Sequence, residues 1–336
     1  MLVETQQTKI NKRIEYIDYL KGLSVTWVVW FHTTHPAFVD YSFRIPLFFF
    51  ISGIFFKPYP WKFFWRKKIN QLIIPFIFFY LIYYIYLILI NILKYHSLSQ
   101  FELTSIWGIF QTYTGNESFI INPPLWFICA LINLQLLLYT TINLLKKKWI
   151  ILGSAIIISF IGLFYIKTFP TPFMIGRSLP FFIYYTIGYL FGKRIIHHIE
   201  QNNNIIKFII LLFFILIITF IKNNLLFNTI EYETANYAQI LCTIISLIIL
   251  FKHIYKSPLV SPLKFYGINS YIVLGLHEIF QTTYSILINN IFGHISIFLG
   301  IITTLLTLTT LWPIILICNK YIPYLVAKKD LIHIPK

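Results

Sequence analysis

The sequence predicts an all-α, polytopic membrane protein of about ten transmembrane helices. Three observations carry that reading. The apolar stretches are long and continuous rather than alternating, which is helical patterning. Of the 336 residues, 58% are hydrophobic and only 11% charged, against about 45–50% and about 25% in a soluble chain, and mean hydropathy is +0.74. The basic residues, finally, change side from one loop to the next. No water-facing domain could bury so much apolar surface, so a soluble enzyme and a disordered tail protein are excluded.

A bilayer core of about 30 Å takes about 20 apolar residues per helix, and lipid-exposed backbone must bond within itself. Spans are therefore expected at 20–39, 43–58, 72–93, 124–145, 149–166, 173–192, 205–221, 236–255, 268–290 and 295–318. The first reads LKGLSVTWVVWFHTTH, with Lys21 at its cytoplasmic mouth. The second is short: Ile45 to Phe56 is apolar, broken by Ser-Gly, and covers only ~18 Å as a helix. The third follows the basic segment WRKKINQLIIP. A weakly acidic loop, Lys94 to Pro123, contains Glu102, Glu117 and Trp107 and leads to the fourth. The fifth follows Lys146, Lys147 and Lys148, and the sixth follows Pro170 and Pro172. A loop from Lys222 to Ala235, carrying Glu231 and Glu233, separates the seventh from the eighth. The ninth contains His277 and Glu278, and the tenth precedes a polar tail, 319–336.

Charge placement supports the count. With a cytoplasmic N-terminus and ten crossings, twenty-two of the 27 Lys and Arg residues fall on the cytoplasmic side. Only Arg44, Lys94, Lys167 and Lys222 face the other side, and Arg177 lies within a span. That is the positive-inside pattern, and removing the short second span would destroy it. The same placement accounts for the net charge of +16: basic loops meet anionic lipid headgroups. No folded basic domain remains for nucleic acid. Cys129, Cys242 and Cys318 sit in apolar stretches without CxxC spacing, so neither a disulfide framework nor a metal site is expected. Segment 1–16 is polar and lacks a signal-peptide cleavage site. The whole of 1–336 reads as one membrane-embedded domain with both termini cytoplasmic, placed in the cytoplasmic (inner) membrane.

An ionised side chain at bilayer depth costs at least ~2.5–3.5 kcal/mol, so those that persist line cavities or pathways. His32 lies eleven residues beyond Lys21, ~16 Å along a helix, and His35 follows on the same face. Arg44 opens the second span and Arg177 the sixth, both from the outer side. His277 and Glu278 lie near mid-depth in the ninth. Each has a bland reading: His35 as an interfacial residue, Arg44 as an anchor, Arg177 and Glu278 as a structural ion pair. Mixed types on separate helices at comparable depth point instead to a shared polar cavity. A neutral imidazole can take a proton from an attacking hydroxyl. A carboxylate can orient that base, and an arginine can hold an oxyanion or an acidic sugar. Arg66, Lys67 and Lys68 suit the phosphates of an anionic donor, and equally suit ordinary positive-inside charge. Trp126 and Trp107 are candidates for stacking on a sugar ring.

Six motifs then occur in order. RIEYIDYLKG with Lys21-x10-His32 comes first, followed by FRIPLFFFISGIFF (43–56) and RKKINQLIIPF (66–76). PLWFICALI (124–132), LPFFIYYTIGYLFGK (179–193) and LKFYGINSYIVLGLHE (263–278) complete the set. From Arg13 to about Ile279 the chain resembles the acyltransferase-3 family of integral-membrane acyltransferases, in particular its stand-alone sugar O-acetylase branch. The resemblance implies transfer of an acyl group, usually acetyl from cytoplasmic acetyl-CoA, to a hydroxyl of a cell-surface glycan or lipid-linked sugar. Acyl-CoA would be a co-substrate, with no permanently bound cofactor; the other partners are the acceptor and membrane lipid. By position, His32 is implied as catalytic base or acyl-handling histidine and Lys21 as the basic residue near the donor. Arg66 and Lys68 match the basic segment that contacts CoA phosphates. Ser52 and His277 match recurrent positions. The chain departs from the family at Gln71, where arginine is frequent, at Gly275 within VLGLH, and at Glu278, which the pattern does not assign.

The expected function is therefore membrane O-acyl transfer, with His32, His277 and Glu278 as catalytic candidates. Lys21, Arg66, Lys67 and Lys68 are donor-side candidates, and His35, Arg44, Arg177, Ser52 and Trp126 acceptor-side ones. The principal rival is a transporter or flippase for a lipid-linked glycan, which predicts inverted repeats that inspection does not find. A glycan polymerase would carry arginines in a large outer loop, and Lys94 to Pro123 has none.

Overall fold

The computed structural model describes residues 13–34, 43–97, 102–114, 117–164, 168–202, 204–224, 229–294 and 296–333. The described chain is almost wholly helical. In order it forms α1 (Glu15–Thr34), α2 (Arg44–Ile54), α3 (Trp61–Lys68), α4 (Ile74–Tyr95), α5 (Trp126–Leu145), α6 (Lys148–Phe164) and α7 (Ile175–Ser178). α8 (Phe182–Gln201), α9 (Ile205–Asn224), α10 (Thr229–Ile254), α11 (Ser261–Ile268), α12 (Ser270–Phe292) and α13 (Ile297–Tyr321) follow. Two-residue strands β1 (Thr112–Tyr113) and β2 (Thr171–Pro172) pair antiparallel and tie together the segments before α5 and α7.

Each of the ten expected stretches overlaps a helix among the described residues. By length and composition, five are long and apolar enough to cross a membrane: Trp61–Tyr95, Pro123–Leu145, Ile205–Asn223, Thr229–Ile254 and Ile297–Tyr321. Arg44–Ile54 and Lys148–Phe164 are apolar but shorter. None of the apolar window of α9 is buried, and Ile209, Phe213, Leu216 and Phe220 all face outward. Such a surface is stable against hydrocarbon and not against water.

Three expected boundaries shift. The sixth helix starts at Phe182, not at 173, because Phe173 and Met174 have positive φ (50° and 59°) and Pro180 lies in a 3-10 turn. The eighth begins at Thr229, so Glu231 and Glu233 belong to a helical N-terminus, where carboxylates oppose the positive dipole end. The basic segment before the third span is itself helical: α3 passes through a π-helical turn, Ile69–Ile73, directly into α4.

Two buried clusters form the core. One gathers side chains from α4, α5, α12 and α13, and the other from α8 and α10. Val25, Val28, Phe48 and Phe49 belong to the first, while Leu20, Leu47, Phe50 and Ile51 belong to the second. The α1–α2 pair is thus the seam of the molecule. Close approach along this seam depends on glycine. A methyl group on Gly53 or Gly188 would collide with a backbone carbonyl of the facing helix (Tyr185 and Phe50, respectively), and one on Gly22 would meet that of Leu263 in α11. In lipid no hydrophobic force drives helices together, so small residues that allow tight van der Waals contact decide which helices pair.

The π-helical turn has a second effect. It turns Asn70 inward, where Nδ2 donates to Ile332 O and Oδ1 accepts from Ile332 N, both at 2.8 Å. Lys328 Nζ donates to Ile268 O at 2.9 Å, and burial, with Arg13 nearby, lowers that ammonium's pKa from its ordinary value. The tail is thereby pinned to the π-helical turn and to α11. Asn70→Leu removes both bonds to Ile332, each worth about 1 kcal/mol net. We expect trypsin to cleave at Lys328 and Lys329 several-fold faster, with helical circular dichroism unchanged. An unaltered digestion rate would show that other contacts hold the tail.

Candidate active site

α1 and α12 each present one face to the seam, and their polar residues meet there. His32 Nδ1 lies 3.9 Å from Glu278 Oε2, and His277 Nε2 lies 3.9 Å from the same oxygen. The two imidazole centroids are 5.5 Å apart. At 3.9 Å these are electrostatic contacts rather than hydrogen bonds, which close at about 2.7–3.2 Å.

The orientation of His277 follows from its helix. Nδ1 faces the carbonyl oxygens of Val273 at 2.9 Å and Leu274 at 3.2 Å. An imidazole nitrogen so close to two carbonyls must carry the proton and donate it. Nε2 is then left with its lone pair toward Glu278. His277 is fully buried, and neither its Nε2 nor Glu278 Oε2 has a hydrogen-bond partner. Two acceptors thus face each other at 3.9 Å, too far apart for a direct hydrogen bond. His32, Glu278 and His277 also have ligand-capable atoms within 4.8 Å of one another, so among the described residues these three side chains, for which the sequence suggested no metal, are close enough together to hold a divalent cation.

His32 also opens onto a cavity of about 90 Å³. Arg44, Arg177 and Trp126 line it with Phe31 and Ser118. Four residues singled out from sequence therefore share one space, although they come from four segments. Each arginine is laid on a ring: the Arg44 guanidinium is 3.8 Å from the Phe31 centroid, and that of Arg177 is 4.0 Å from the Trp126 centroid. Arg177 donates to Ser118 Oγ and to Glu117 O. The expected alternative of an Arg177–Glu278 ion pair does not occur. The Trp126 face suggested for sugar stacking is covered by Arg177. Ser24 Oγ donates to Arg44 O, fixing the start of α2 against α1.

Away from this cavity, Lys21 and Lys68 flank the end of α2. Lys21 Nζ lies 5.5 Å from the Phe55 ring and 3.9 Å from Asp18 Oδ1. Lys68 Nζ lies 5.9 Å from the Phe56 ring and 5.2 Å from that of Phe64. Lys67 Nζ donates to Tyr59 OH at 3.2 Å, and Arg66 projects outward from α3. Ser52 is half-buried on α2 and does not line the cavity. His35 lies outside the described residues.

One positioning residue escaped the sequence reading. Asn122, fully buried with φ 52°, donates from Nδ2 to Gly275 O at 2.9 Å and to Phe79 O at 3.3 Å. It anchors the Pro123-Pro124 wall of the cavity to α12 two residues before His277. The Asn-Pro-Pro sequence was its only signal, since asparagine tolerates the left-handed region and readily opens turns.

Comparison with known proteins gives the family. A family model described as an acyltransferase domain, that of acyltransferase family 3, matches residues 14–318. No curated protein and no solved structure matches the chain.

Proposed function

The chain belongs to the acyltransferase-3 family and is a multi-pass membrane acyltransferase; on that premise we propose that it is an O-acyltransferase of the sugar O-acetylase type. Acetyl-CoA is the donor, and a hydroxyl of a cell-surface glycan or lipid-linked sugar the acceptor. The protein resides in the cytoplasmic membrane with both termini in the cytoplasm. The observation that carries the reading is the convergence of His32, Glu278 and His277 beside a cavity lined by two arginines.

In the proposed reaction, Glu278 holds the Nδ1–H of His32, so that Nε2 carries the lone pair. Nε2 takes the proton of the acceptor hydroxyl as its oxygen attacks the thioester carbonyl carbon. The tetrahedral intermediate collapses, the carbon–sulfur bond breaks, and the thiolate leaves with the proton from His32. Ester and free CoA are the products.

Two experiments test this. Loss of acyl groups from surface glycan on deletion of the gene, with the glycan otherwise assembled, is the expected result; loss of the glycan itself indicates transport. For the donor side, Lys67→Gln with Lys68→Gln removes two candidate phosphate contacts. Hydrogen bonds to charged groups are worth about 1.5–3 kcal/mol, so the KM for acetyl-CoA is expected to rise at least about tenfold while kcat is largely kept. An unchanged KM would reduce these lysines to topology signals.

A further inference from the structure

The two arginines in the His32 cavity bear on which acceptor it takes. Arg177 enters from α7, which is packed against α5, and Arg44 from the start of α2. The described acceptors of Arg177 are neutral, a serine hydroxyl and a backbone carbonyl. The carboxylate of the adjacent Glu117 is turned away, with Oε2 accepting from Thr114 N at 2.7 Å. Among the described residues lining the cavity there is no aspartate or glutamate. The Trp126 ring, 4.0 Å from the guanidinium carbon, orients the planar group of Arg177 and leaves part of its edge for a ligand.

Such a guanidinium edge matches carboxylate or phosphate oxygens in pairs. The cavity, about 90 Å³, has room for a compact anionic group beside the two arginines. Resting on the proposed O-acyl transfer, we infer that the acceptor carries an anionic group, a carboxylate or a phosphate, held by Arg177 with Arg44 while a neighbouring hydroxyl faces His32. A sugar acid and a sugar phosphate share this chemistry.

The test uses the full chain in phosphatidylcholine nanodiscs. Binding of glucuronate, glucose 1-phosphate and glucose is measured by calorimetry, and acetyl-CoA binding is measured on the same samples. At least one anionic sugar is expected to bind ten-fold or more tightly than glucose; the one that does so identifies the group as carboxylate or phosphate. In Arg177→Gln that preference disappears with acetyl-CoA affinity unchanged, and in Arg177→Lys, which keeps the charge, part of it remains. The inference is overturned by equal affinity for all three sugars, by no binding of either anionic sugar, or by a preference that survives Arg177→Gln. It is also overturned if Arg177→Gln weakens acetyl-CoA binding while leaving the sugar preference intact, since the arginine would then serve the donor. Unchanged acetyl-CoA affinity doubles as the folding control, and Arg177→Lys decides the matter if the glutamine variant misfolds. Failure of the acyl-transfer reading looks different: wild-type protein would then not turn over acetyl-CoA with any hydroxyl acceptor, whatever its choice among sugars.

Discussion

Replacing His32 with alanine is expected to slow acyl transfer by about 10²- to 10⁴-fold, the range a positioned general base contributes. The KM for acetyl-CoA should change little. A hydroxyl of ordinary acidity attacks a thioester poorly unless its proton leaves as the new bond forms. His32 is the imidazole that both opens onto the cavity and lies next to a carboxylate, with side-chain exposures of 26% for His32 and 18% for Glu278. His277 is fully buried and can act only through Glu278, so His277→Gln should lower kcat by a smaller factor. Single-turnover measurement with preloaded acetyl-CoA separates the chemical step from release. A His32→Ala protein that keeps more than a tenth of the wild-type rate would remove the base from the mechanism and point to substrate positioning alone. Ala is preferred over Asn here because an amide could still orient the hydroxyl.

The cluster of His32, His277 and Glu278 was legible in the sequence for a thermodynamic reason. Ionisable groups are expensive at bilayer depth, so His32, His277 and Glu278 stood out against apolar runs. The helices were legible because lipid demands continuous apolar segments. Where the reading slipped, the demand was absent or ambiguous. Phe173, Met174 and Ile175 are as apolar as a span, and composition could not reveal that the backbone turns through positive φ at Phe173 and Met174. Glu231 and Glu233 looked like loop residues, although acidic side chains suit a helix N-terminus. Asn122 and Asn70 carry no charge and bond to chain 153 and 262 residues away. Neutral side chains in turns give no depth signal, and partners so distant leave no local pattern.

Gly188→Leu is expected to cost the folded protein more than any other single change considered. α2 has 11 residues, ~16 Å of helix, too short to be held by lipid alone. Nine of them are buried, Arg44 among them, so its position depends on the neighbours that cover it. Those neighbours approach closely because Gly188 presents no side chain to the Phe50 carbonyl, while Gly53 does the same for Tyr185 on the opposite strip of the contact. A side chain at either position meets backbone, which cannot swing aside as a flexible side chain would. Overpacking within a core costs about 1–3 kcal/mol even where side chains can adjust; against backbone the helices must separate instead. The expected result is loss of monodisperse protein in detergent, with Gly188→Ala intermediate. Gly153→Leu supplies the control, because a Cβ there meets nothing within 4 Å and should leave the thermal midpoint unchanged. The variant also distinguishes packing from chemistry. Displacing α2 moves Arg44 out of the His32 cavity, so whatever protein survives should lose acceptor binding before it loses affinity for acetyl-CoA. A Gly188→Leu protein as stable as wild type would mean that α2 reaches the seam by contacts other than the α8 interface.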